Sequence, residues 1–195
     1  MANSTGLRFI MVLPEIQSDG NFLLKDLPGS GKRIDILCRS LAACFDWAAP
    51  VGSTRCLELV AILSDNVILH FTAPDRCEEK GETWWASAIQ LALREKEPPD
   101  FITITRISLE EYLLKILDDD NRVIVLEEDG EHLDTHLLER ASQYSFMLGN
   151  HEGFDENTTE VIRKLRLPSV SLGAYSYLGS HCIAIVVSAF ERLER

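Results

Sequence analysis

No two of the five cysteines in this 195-residue chain form a CxxC pair. Cys38, Cys44, Cys56, Cys77 and Cys182 are scattered and odd in number, which argues for reduced thiols in a cytosolic or nuclear setting and against a zinc site. The chain contains no run of eighteen apolar residues and no low-complexity tract, so a membrane-spanning helix is not expected. The opening stretch, MANSTGLRFIMVLPE, has no basic segment followed by a long apolar one, and export is not expected either. Basic residues are scarce: 19 Lys and Arg face 31 Asp and Glu, for a formal net charge of −12. That balance opposes indiscriminate nucleic-acid binding, because phosphate contacts dominate such affinities.

The deficit is uneven along the chain. Residues 118–134 carry eight carboxylates against one arginine, whereas residues 25–39 carry Lys25, Lys32, Arg33 and Arg39 against Asp26 and Asp35. A local basic patch on an acidic protein is compatible with this distribution. Within the patch, DLPGSGKRID (26–35) has the glycines and lysine of a phosphate-binding loop but not its spacing. A Walker loop needs a glycine five residues before the Gly-Lys pair, and a Ser or Thr after the lysine to ligate magnesium. Those positions hold Asp26 and Arg33, a carboxylate that would repel phosphate and a side chain that cannot hold a metal. Leu27-Pro28-Gly29 reads instead as a turn feeding a helix.

The length suits one domain with a full core. LRFIMVL (7–13) is a buried strand without helical period. In residues 34–48, Ile34, Leu37, Cys38, Leu41, Ala42 and Phe45 fall at three- and four-residue spacing, which predicts an amphipathic helix. Strands follow at 56–63 and 66–72, joined as a hairpin through Ser64-Asp65-Asn66. A helix over 82–96 stops at Pro98-Pro99, 101–107 is a strand, and Ser108 and Glu111 are spaced as a capping box for the next helix. Strand–helix alternation then continues: strand 122–130, helix 133–141, strand 144–150, helix 155–165, a strand entering a glycine-marked loop at 168–180, and an apolar helix over 181–195. Short Val, Ile and Leu runs alternating with helices predict a mostly parallel central sheet flanked by helices. In such sheets ligands sit in the loops at the carboxyl ends of the strands, here LEEDG (126–130), LGNHEGF (148–154) and LGAYSYLGSHC (172–182).

Those three loops in register, together with KDLPGSGKRIDILCR (25–39), resemble the archaeal tRNA pseudouridine-54 N1-methyltransferases of the SPOUT class, and more distantly the rRNA N1-pseudouridine methyltransferases. The likeness is strongest over 23–45 and 122–193 and weaker over 65–105. It implies one SPOUT domain over residues 1–195, an α/β fold with a deep C-terminal trefoil knot in about 122–195, and S-adenosylmethionine held by the knotted loops. It further implies a homodimer, a tRNA substrate, a cytoplasmic location and no metal.

Carried over position by position, the resemblance implies cofactor contacts from Leu126, Gly149, Leu172, Gly173, Ala174, Tyr175, Ser176, Tyr177 and Cys182. Taken singly, Leu126 is as readily a core residue and Gly149 and Gly173 turn glycines; only the joint spacing points to a ligand. Arg33-Ile34-Asp35 matches an Arg-x-Asp of the family. Arg33 is the candidate to hold phosphate or stabilise a deprotonated base, and Asp35 to orient the base or take its proton, although Asp35 equally suits a helix dipole. Lys32 and Arg39 join Arg33 as candidate RNA contacts. Asn150 is the third candidate catalytic residue, and it departs from the family, which often has aspartate in LGDH. Asparagine hydrogen-bonds but takes no proton. A knotted RNA- or protein-binding module without catalysis is the alternative that this departure and the acidic balance leave open.

Overall fold

Residues 7, 9 and 11 point to one side of the first strand and residues 10 and 12 to the other, and all five are buried. A strand that is apolar on both faces must be covered on both, and the whole architecture follows from that. The computed structural model describes residues 5–47, 56–74, 80–95, 98–118, 120–136 and 141–193. Its elements are β1 (Gly6–Val12), α1 (Leu27–Ser30), α2 (Ile34–Leu41), β2 (Leu57–Ile62), β3 (Val67–Phe71), α3 (Gly81–Glu95), β4 (Ile102–Arg106), α4 (Leu109–Ile116), β5 (Asn121–His132), α5 (Leu133–His136), β6 (Gln143–Leu148), α6 (Glu156–Leu165), β7 (Ser169–Ser171) and α7 (Gly179–Leu193). The seven strands form one sheet in the order β4-β3-β2-β1-β6-β5-β7.

Leu7, Phe9 and Met11 pack with Leu37 of α2, Ile89 of α3 and Ile183 of α7 on one face. Ile10 and Val12 pack with Leu113 of α4 and with Val161 and Ile162 of α6 on the other. Each such large side chain removed from water contributes roughly 1.5–3 kcal/mol. Phe190 of α7 meets Tyr144 and Phe146 of β6 edge-on, at 5.0 and 6.0 Å between ring centroids, and seats the C-terminal helix on the sheet.

The pairings β1–β2, β1–β6, β5–β6 and β5–β7 are parallel. The hairpin expected at Ser64-Asp65-Asn66 is present, and β3 and β4 add two antiparallel pairings at that edge. Asp65 and Asn66 make its turn in left-handed conformation, both with φ of 57°. The capping box forms as expected, with Ser108 Oγ accepting from the Glu111 N–H and the Glu111 carboxylate from the Ser108 N–H. The helix expected over 34–48 differs: α2 ends at Leu41 and continues as a π-helical turn over Ala42–Trp47. The wider turn brings Asp46 to the start of α3, where its carboxylate accepts from the Gly81 N–H and from Trp85 Nε1 at 3.1 and 3.3 Å. Of the expected helix 133–141, α5 covers the start; residues 137–140 lie outside the described residues, as do Cys77, Lys96 and the last two residues. Among the described residues no helix is long and apolar enough to cross a membrane.

The strand expected to end in a polar loop at 130 does more. Both Leu126 and Glu131 of β5 pair with the same residue of β7, Val170. Residues 127–130 therefore arch around β7 and rejoin it. Gly130 touches it directly: a Cβ there would lie 2.6–2.7 Å from the backbone of Val170, so only glycine permits the approach.

A charged cluster crosses β1, β2 and β3 on the α4 side. Arg8 Nε donates to Glu58 at 2.6 Å, and His70 Nε2 lies 3.3 Å from the same carboxylate oxygen. Burial alone would raise the Glu58 carboxyl; His70 and the Arg8 charge outweigh it and hold it down at about 2. A carboxyl depressed in the folded state stabilises the fold above its ordinary value near 4.5 and loses that contribution as pH falls toward 2. Wild-type protein is expected to lose up to about 3 kcal/mol between those limits through this group. Glu58→Gln should be less stable at pH 7 and show a flatter acid limb in urea titrations. An unchanged limb would mean that the cluster carries no linkage.

Candidate active site

The carboxyl ends of β5, β6 and β7 and the start of α7 enclose one cavity of about 810 Å³, within the size range of small-molecule sites. Leu126, Gly149, Leu172, Gly173 and Cys182 line it, as do Tyr175, Ser176 and Tyr177. Of the residues that the family match assigns to the cofactor, Ala174 alone is not brought to the cavity; it faces solvent. Burial pushes the Cys182 thiol up to about 11, and its Sγ lies 3.8 Å from the Tyr177 carbonyl oxygen. The protonated thiol is a wall of the cavity, not a nucleophile.

Gly149 owes its identity first to the chain itself. A Cβ there would collide with the carbonyl of Gly153 and come within 2.9 Å of its Cα. The 150–153 turn folds back tightly because the Asn150 and Gly153 backbones exchange hydrogen bonds of 3.1 and 3.2 Å. Asn150 Oδ1 also accepts from the Glu152 N–H at 2.7 Å. An aspartate would accept there equally, so this local role survives the departure from LGDH. Asn150 lines the cavity beside His151 and Glu152.

The start of α2 also contributes to the wall. Lys32 and Arg33 are both left-handed, with φ of 49° and 67°, a conformation that costs non-glycine residues of order 1–3 kcal/mol and clusters at functional sites. Arg33 is held there by a two-pronged ion pair: its Nε and Nη2 donate to the two oxygens of Asp35 at 3.0 and 3.1 Å. Arg39 Nη2 donates to the same carboxylate, and Arg39 Nε lies 3.7 Å from Glu82 on α3. Asp35 is 2% exposed, so its carboxylate is committed to two guanidiniums and sits behind the cavity wall. Arg33 and Arg39 themselves line the cavity; Lys32 lies outside it, exposed.

Residues that sequence reasoning left unassigned complete the walls. Glu127, Glu128 and Asp129 are the exposed crest of the β5 arch and face the cavity, with Ile36 from α2 and Phe154 beyond the 150–153 turn. The acidic run was visible in LEEDG, but nothing in the spacing says that the strand resumes after it.

This donor set fits S-adenosylmethionine. Leu126, Leu172 and Ile36 are apolar surface suited to adenine, the 149 and 173 positions expose backbone, and the acidic crest complements a cationic sulfonium. Gly149→Ala should lower thermal stability and S-adenosylmethionine affinity together, because the clash with Gly153 disturbs the turn that forms the wall. The expected cost of such overpacking is about 1–3 kcal/mol, read by calorimetry and thermal melts. Normal affinity in a variant with a normal melt would remove this turn from the site.

The family described as "Putative SAM-dependent RNA methyltransferase" matches residues 7–194. Among similar proteins, the tRNA (pseudouridine(54)-N(1))-methyltransferase of Methanococcoides burtonii is 27% identical over 94% of this chain and 95% of its own length. The protein of that name from Pyrococcus abyssi is 26% identical over 95% and 97%. These alignments span the middle of the chain as well as its ends. The crystal structure of Archaeoglobus fulgidus Nep1 bound to S-adenosylhomocysteine shares the fold, with a TM-score of 0.68 at 16% identity over 97% of this chain and 99% of that one. A ribosomal RNA small subunit methyltransferase E from Neisseria gonorrhoeae bound to S-adenosylmethionine superposes at a TM-score of 0.51 and 15% identity, over 97% and 66%. With nearly every residue matched, and with a cavity whose walls suit the cofactor, the chain belongs to this family of S-adenosylmethionine-dependent RNA methyltransferases.

Proposed function

We propose that the protein methylates N1 of pseudouridine at position 54 of the tRNA T-loop, acting in the cytoplasm. The observation that carries this reading is Arg33, held by Asp35, at the cavity that the cofactor loops line, in a chain similar along its length to enzymes named for that reaction.

Pseudouridine is joined to ribose through carbon, so its N1 bears a proton and is free to become a nucleophile; in uridine that nitrogen is bonded to the sugar. S-adenosylmethionine, when bound, supplies a methyl group on a sulfonium. The chain's residues must hold N1 in line with it, so that the N1–methyl bond forms as the sulfur–methyl bond breaks, and stabilise negative charge as the N1–H proton passes to solvent at the cavity mouth. Arg33 is the residue for the charge. Asp35 acts through it: with both oxygens taken by guanidiniums, its carboxylate sets the direction of Arg33 instead of accepting the proton. Asn150 orients the base, its carbonyl oxygen engaged in the turn and its amide left to donate. The arch of residues 127–130 around Val170 supports the trefoil knot that the family resemblance implies. We further read the protein as a homodimer, the state that the family resemblance implies. Light scattering should give twice the 22.0 kDa chain mass; a monomer at micromolar concentration contradicts it.

Arg33→Ala should depress methyl transfer to a pseudouridine-containing T-loop RNA, spare cofactor binding, and reduce the salt slope of RNA binding by roughly one. Asp35→Ala should lose turnover and also stability, by about 1.5–3 kcal/mol, because two partly exposed guanidiniums lose the carboxylate that they share. If labelled methyl transfers at wild-type rates in both, the pair is only a helix start. If the wild type transfers methyl to a uridine-containing T-loop equally well, the target atom is not N1 of pseudouridine.

A further inference from the structure

Tyr175 is 76% exposed, the most exposed large apolar side chain among the described residues. It is not isolated. Tyr177 and Leu178 are 38% and 54% exposed in the same loop, and all three line the cavity that Arg33 also lines. The loop is preset: the Tyr177 hydroxyl lies over Gly173, 3.3 Å from where a Cβ would stand, and Ser171 Oγ donates to the Gly173 carbonyl at 2.9 Å and accepts from its N–H at 3.2 Å. Two aromatic rings and a leucine standing in solvent are a costly surface unless a partner covers them. Such a surface at a cavity that also presents a fixed guanidinium has the two components by which single-stranded nucleic acid is held: a flat ring for the base and a cation for the phosphate.

We propose that Tyr175, supported by Tyr177, is the stacking surface for an unpaired nucleobase of the RNA substrate, with Arg33 of the same cavity taking the adjoining phosphate. This departs from the sequence expectation that Tyr175 holds the cofactor, since its ring stands outward. It rests on the reading of the site as one that methylates an RNA base. It also accounts for how an acidic protein binds RNA locally. Stacking is indifferent to charge, and the acidic crest of residues 127–129 disfavours phosphate near it, which leaves Arg33 as the point that draws phosphate.

The test uses the full chain, a pseudouridine-containing T-loop RNA and S-adenosylmethionine, each titrated separately. Tyr175→Ala should weaken RNA binding about 5- to 100-fold and leave cofactor affinity and the mass in light scattering unchanged; Tyr175→Phe should restore RNA affinity, and Tyr175→Leu, of similar apolar bulk without a ring, should not. Unchanged RNA affinity in Tyr175→Ala, or full rescue by leucine, overturns the stacking surface. Lost S-adenosylmethionine binding overturns it by returning Tyr175 to the cofactor, and a changed mass overturns it in favour of a second copy of the chain. A wild type that leaves the pseudouridine unmethylated, yet loses affinity for the same RNA on Tyr175→Ala, refutes the N1 reaction and upholds the surface.

Discussion

The site exists because β5 does not stop where its hydrophobic run stops. It arches over residues 127–130 and rejoins the sheet, so that Val170 is gripped by Leu126 from one side of the arch and Glu131 from the other. Gly130 lets the two backbones close to contact. Everything after β7 inherits its position from that grip. The 172–178 loop emerges beside the β6 turn, and α7 is laid against β6 through Phe190. Were β7 paired with a strand that simply ended at 126, the three loops would share an edge of the sheet but not enclose a cavity.

The second constraint is electrostatic. Two arginines of this acidic chain line the cavity, and one buried carboxylate holds both. A buried ion pair adds little net stability, since desolvation offsets the attraction, but it restricts direction. Asp35 fixes Arg33 against an unfavourable backbone conformation, and Arg39 carries the link through Glu82 to α3. The π turn and Asp46 pin the same end of α3. The guanidinium at the cavity is thus braced by two helices, which suits a charge required to be in place before the reaction begins.

The cavity is lined by charge of both signs, and that mixture suits the chemistry. A sulfonium is best met by the acidic crest and a developing base anion by Arg33. Transfer moves positive charge away from the crest, so the wall that favours the methyl donor favours the demethylated product less. The glycine-bounded turn at 149–153 lines the same cavity and is held by its own hydrogen bonds.

Period and punctuation in the chain determined the elements: the apolar runs of β1, β2, β5 and β6, the capping box at Ser108, the hairpin at 64–66, and the amphipathic start of α2. These rest on local physics, side-chain alternation and backbone capping, which any stretch of sequence carries within itself. The joint spacing of LEEDG, LGNHEGF and the 172–182 loop also marked which residues assemble, with Ala174 the exception. Only the tertiary structure decided the rest. That Asp35 is consumed by Arg33 and Arg39, that Gly149 answers to Gly153, that the acidic crest faces the cavity and that Tyr175 stands in solvent all depend on which backbones meet across the sheet. Such contacts join residues far apart in the chain, and their energies depend on distances that local periodicity does not encode.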